Sequence, residues 1–169
     1  TAFHAVKNIS EILLSNGFER LLESERWNLM GGKKYFVVRN DSSIIAFACP
    51  KNFSSPAGFK IVASHSDSPC FKVKENPEIE SGDMVVLNVE KYGGMLMNPW
   101  FDRPLSVAGR ICVKKDGKIE RILFDIERPL LMIPNLAIHF NRDANDGHKI
   151  KVQEELRPVF SIDKEKIIQ

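Results

Sequence analysis

Cysteine is scarce in these 169 residues. Cys49, Cys70 and Cys112 are widely spaced, with no CxxC pair among them. A zinc knuckle and a thioredoxin-like redox motif are therefore unsupported. Free, buried thiols in a reducing compartment are the expected state, and a cytoplasmic location goes with them. Charge of one sign is missing too: 24 Lys plus Arg stand against 22 Asp plus Glu, a scattered net charge of +2. Such a balance gives no electrostatic footprint for a nucleic acid or an anionic membrane. No apolar run approaches the ~20 residues that a membrane-spanning helix needs, and no signal-peptide pattern opens the sequence. Internal repeats, low-complexity tracts, flexible linkers and an HExxH motif are all absent.

What is present is ordinary globular material, 43% hydrophobic, which excludes intrinsic disorder. The length suits one domain or parts of two. Ala5, Ile9, Ile12 and Leu13 recur at helical spacing, and Asn16-Gly17 ends that run. Phe18, Leu21 and Leu22 extend the apolar patch into a connector that ends at Trp27. The period then changes. Lys34–Arg39 and Ser43–Cys49 read as strands around an Asn40-Asp41-Ser42 turn. Gly58–Ser64 (GFKIVAS) reads as a third strand, apolar at consecutive positions as if covered on both faces. From about Phe71 the pattern is β throughout: Cys70–Lys74, Met84–Val89, and Leu105–Lys114 with Lys118–Ile126 around Asp116-Gly117, a type I′ hairpin signal. Leu130–Ile133 and Leu136–Phe140 are short apolar runs, and a short turn is expected near Gln153–Leu156.

The stretch KIVASHSDSPC, Lys60–Cys70, sets His65 and Asp67 just after the expected third strand. One reading makes His65 a loop histidine and Asp67 a turn residue. The other makes His65 a metal ligand whose second ring nitrogen is oriented by Asp67, since ligating imidazoles donate their other N–H to a carboxylate or carbonyl. His-x-Asp is short and arises often by chance. One histidine also cannot hold a catalytic metal, because zinc sites take three or four protein ligands. His4 and His148 read as solvated or locally satisfied side chains. Asp143, Asp146 and Gly147 lack the spacing of an EF-hand loop and read as a solvated tip.

Three longer segments carry more information. SHSDSPCFKVK (Ser64–Lys74), KYGGMLMNPWFDRPLSVAGRICVK (Lys91–Lys114) and ERPLLMIPNLAIHFNR (Glu127–Arg142) resemble the M18 metalloaminopeptidases, the aspartyl aminopeptidases. TAFHAV and YFVVRNDSSIIAF are similar to that family's N-terminal pattern. The resemblance covers essentially the whole chain. It implies an α/β fold, with residues 1–72 as the N-terminal part of a two-metal peptidase domain. Residues 73–160 would then be a β-rich, butterfly-type dimerisation domain, and residues 161–169 the return to the peptidase domain. It also implies two divalent ions, most simply zinc, and peptide substrates with a preference for acidic N-terminal residues. Dimers assembling into a dodecamer would be the partners, with no role for nucleic acid or membrane.

On the same resemblance His65 matches the first metal ligand and Asp67 the aspartate that supports it. His139 matches a histidine reaching the neighbouring subunit's active site, where it would stabilise the oxyanion. The family's bridging aspartate, Glu-Glu pair, later aspartate ligand and C-terminal histidine ligand have no counterpart here, so the sequence reads as an incomplete chain, inactive by itself. The competing account is a non-catalytic, self-associating β module, with MLMNPWF (Met95–Phe101) and LLMIP (Leu130–Pro134) as its apolar contact stretches.

Overall fold

A computed structural model describes residues 1–52 and 58–163. The expected return segment therefore lies mostly outside the described residues. The main elements are α1 (Ala2–Ser15), β1 (Phe18–Leu21), β2 (Lys34–Arg39), β3 (Ser43–Ala48), β4 (Cys70–Ser81), β5 (Met84–Tyr92), β6 (Ala108–Lys115), β7 (Lys118–Asp125), α2 (Val152–Glu155) and β8 (Val159–Ser161). The fold class is mixed α/β, as expected. None of the described helices is long and apolar enough to cross a membrane.

Chain contacts gather these elements into two compact units, Thr1–Ser68 with Ala108–Phe124, and Pro69–Val107 with the described residues from Asp125 onward. In the first unit, α1 begins at Thr1, which caps it, and stops where the Asn16 side-chain amide donates to the Ile12 carbonyl. Gly17 follows at φ +77°, a conformation that costs glycine nothing. The sheet order is β1-β2-β3, with β1 parallel and β3 antiparallel to the central β2. That position buries Tyr35, Phe36 and Val37. Phe36 is 0% exposed, so Phe36→Ala is expected to cost ~3–5 kcal/mol, measured by denaturant unfolding.

Two differences from the sequence reading appear in this unit. Phe18–Leu21 is a strand and not a connector; its partner comes from the distant residues 34–37, beyond the reach of any local pattern. Gly58–Ser64, in contrast, forms no strand. Phe59, Ile61 and Val62 are 94%, 83% and 99% exposed. β-propensity measures fit to a pleated, half-buried surface, and among the described residues nothing pairs with this segment.

The β6–β7 hairpin turns at Asp116 (φ 50°) and Gly117 (φ 77°), both left-handed, as a type I′ turn requires. It groups with the first unit, although the sequence places it inside the β-rich segment. Arg110 explains this: its Nη1 donates to the Asn40 carbonyl at 2.7 Å and pairs with Asp41 at 3.3 Å, while the guanidinium lies 4.2 Å from the Phe3 ring centre.

In the second unit the sheet order is β4-β5-β8. Leu87, Val89 and Leu131 form the core cluster, with Phe71, Leu105, Val107 and Leu130 packed against it. Leu130–Ile133 contributes isolated bridges, Leu105 to Leu131 and Phe101 to Ile133, and no regular strand. Leu136–Phe140 runs as an exposed loop and turn. The short α2 stands where a turn was expected.

His148, read as solvated or locally satisfied, is satisfied: its Nε2 pairs with Glu155 Oε2 at 2.8 Å. Burial pushes the Glu155 carboxyl up. The Lys151 backbone N–H and the His148 ring outweigh it and hold the group below its ordinary 4.5. A depressed folded value stabilises the fold above the unfolded value, and that contribution is lost as pH falls through the folded one. Acidification below about 4.5 is therefore expected to lower the melting temperature, and Glu155→Gln to flatten that part of the profile. The cysteines are free, but they are not all buried: Cys49 and Cys70 are half-buried and Cys112 is exposed on β6.

Candidate functional site

His65 lies on a segment without regular secondary structure, five residues before β4 begins. Its Nδ1 sits 2.8 Å from the Asp67 backbone carbonyl and 3.2 Å from Asp67 Oδ1. A carbonyl oxygen only accepts. The hydrogen bond therefore assigns the proton to Nδ1, which donates to Asp67 and leaves the Nε2 lone pair outward. The side chain is 80% exposed. The two-residue spacing makes the contact a local one.

This is the orientation a metal-ligating imidazole takes, with the second nitrogen tied to a carbonyl and a carboxylate. His65 and Asp67 thus fit one corner of a zinc site. They do not make a site, because a catalytic zinc needs three protein ligands. Among the described residues there is no cluster of three or more His, Cys, Asp or Glu able to hold a metal.

His139 belongs to the second unit. It occupies a turn closed by Phe140 N–H to the Ala137 carbonyl at 2.8 Å. The root of this loop is fixed, since Asn135 N–H donates to Asp102 Oδ1 at 2.8 Å and Leu136 N–H to Asn135 Oδ1 at 3.0 Å. Leu136, Ile138 and Phe140 around the histidine are exposed. The loop thus offers an imidazole amid apolar side chains, anchored at its base. The structure brings His65 and Asp67 together; His139 stands in its own loop on the other unit.

Sequence reasoning missed the His148–Glu155 pair and the role of Asp41, whose carboxylate is shared by Arg110 and Arg121. Neither left a signal, because the partners meet only through turns and a hairpin.

The family model for "Aminopeptidase I zinc metalloprotease (M18)" matches residues 1–169. A Clostridium acetobutylicum protein named "Probable M18 family aminopeptidase 2" is 48% identical over 163 residues, 95% of this chain and 38% of that protein. Among solved structures, the complex of Ape4 and Nbr1 superposes with a TM-score of 0.93 at 40% identity, over 100% of this chain and 33% of the other. The mApe1 dodecamer of S. cerevisiae gives 0.78 at 28% identity, over 95% of this chain and 35% of its own. The chain thus spans about 38% of the length of the curated relative it matches. It belongs to the M18 family of zinc aminopeptidases.

Proposed function

We propose that the protein of which this chain is a part is a metal-dependent aminopeptidase that removes N-terminal residues, acidic ones by preference, from peptides. The observation that supports this reading is the contact of His65 Nδ1 with the Asp67 carbonyl, which leaves Nε2 available to a metal, in a chain of this family. Two zinc ions, when bound, supply Lewis-acid polarisation of the scissile carbonyl and acidify the attacking water. His65 would hold one of them. Asp67 keeps the imidazole in register and raises its basicity. His139 donates an N–H to the oxyanion that develops on the carbonyl, working from the partner subunit. The general base and the other ligands come from outside these residues, so the 169 residues alone are inactive and bind metal weakly.

The protein works as a homo-oligomer in the cytoplasm, dimers assembling to a dodecamer as in the yeast relative. Residues 73–160 would supply the dimer contact, with the exposed apolar side chains around His139 as part of it. Peptides are its substrates, and it needs neither nucleic acid nor membrane.

Asp67 gives a graded test. Asp67→Ala in the full-length protein is expected to weaken metal affinity about 10–100-fold, the usual cost of losing a group that orients a ligating histidine. Competition with a chelator reads this directly. Unchanged affinity would remove Asp67 from the site.

A further inference from the structure

The first unit contains a cleft that the proposed chemistry does not use. It holds about 680 Å³ between α1 and the β6–β7 hairpin, within the ~300–1,000 Å³ usual for binding pockets. Its apolar lining comes from Phe3, Val6 and Leu14 of α1, Val38 of β2, and Ile119 and Leu123 of β7. Its charged lining is unequal, with Lys7, Arg20, Arg110 and Arg121 against Glu11 and Asp41. Both acids are already engaged. Glu11 pairs with Lys7 at 2.7 Å, and the one Asp41 carboxylate serves Arg110 and Arg121, each at 3.3 Å. Positive charge is left over. Arg110 is held in place, its side chain only 15% exposed, stacked on Phe3 and bonded to the Asn40 carbonyl. A fixed guanidinium beside apolar surface suits carboxylates interleaved with apolar side chains, because little ordering remains to be done on binding.

This chain carries such a segment. Glu75–Asp83 (ENPEIESGD) has four acids, Glu75, Glu78, Glu80 and Asp83, and no base, with Pro77 and Ile79 between them. All four acids are exposed. The segment lies on β4, the outer strand of its sheet, and continues into the turn to β5. The register slips between Val73 and Glu78, with Asn76 at φ 52°. A bulge and a proline disfavour edge-to-edge ladder growth, so a partner would meet this segment through side-chain charge.

We propose that the cleft of one copy receives the Glu75–Asp83 segment of another. Cleft and segment are different surfaces, so the contact is head-to-tail and is satisfied by a closed ring of subunits. It deepens the self-assembly reading above and rests on it.

The test is sedimentation of the full-length protein across a concentration series. Glu75→Lys with Glu78→Lys, and separately Arg20→Glu with Arg121→Glu, are each expected to weaken assembly at least about tenfold, since like charges then face each other. The two reversed proteins mixed in equal amounts, which restore opposite charges across the contact, are expected to reassemble. Misfolding of either variant would not be cured by mixing. Wild-type assembly that is insensitive to both reversals, or a mixture that stays apart, overturns the cleft contact alone. A full-length wild-type protein that remains a single subunit at every concentration overturns the self-assembly reading and the contact with it.

Discussion

Replacing His65 by alanine in the full-length protein is expected to abolish peptidase activity and strip metal. The loss should exceed the ~10–100-fold that an orienting neighbour is worth, because a ligand is removed and not merely misaligned. Nδ1 donates its N–H to the Asp67 carbonyl at 2.8 Å, so Nε2 is the ring nitrogen left to bind. The folding cost should be small, since the side chain is 80% exposed. Loss of metal with an unchanged melting curve for the metal-free protein is the signature. Full metal content in His65→Ala would assign the ligand elsewhere.

His139→Ala is the second large effect. One hydrogen-bond donor to a developing oxyanion is worth about 10²–10³ in kcat, and because the contact forms only in the transition state, KM should move little. Metal content should be unchanged, which separates this variant from His65→Ala. If His139 serves the partner's site, subunits of His139→Ala and His65→Ala, each inactive alone, should regain activity when dissociated and reassembled together. In a mixed dimer, the site built on an intact His65 receives an intact His139 from the other subunit. No recovery on mixing would keep His139 within its own subunit.

What the sequence could show followed from how local each feature is. The α1 helix was legible because its apolar spacing and its Asn16-Gly17 stop lie within one segment. Both hairpin turns were legible because Asn40-Asp41 and Asp116-Gly117 tolerate the positive φ that the turns need. The strand β1 was not, since its pairing to β2 is parallel and its four residues carry little pattern. Gly58–Ser64 had the composition of a buried strand and none of the neighbours among the described residues, so propensity overstated it. The hairpin's grouping with the first unit turns on Arg110 meeting Asn40 across 70 residues, a contact no periodicity announces. The site divided in the same way. His65 and Asp67 are two residues apart, so their contact is local and within reach of the sequence. The function of His139 came only through family resemblance, because an exposed loop histidine has no local mark of its role.

The central claim is that His65 is a ligand in a two-zinc centre completed by chain beyond these residues. Metal analysis of the full-length gene product, paired with its intact mass, tests it most directly. The account predicts a subunit much heavier than 19.2 kDa carrying about two zinc ions. Peptidase activity should disappear on chelation and return with zinc. A full-length product that is free of metal yet fully active, or one that binds zinc without cleaving any peptide, would contradict it.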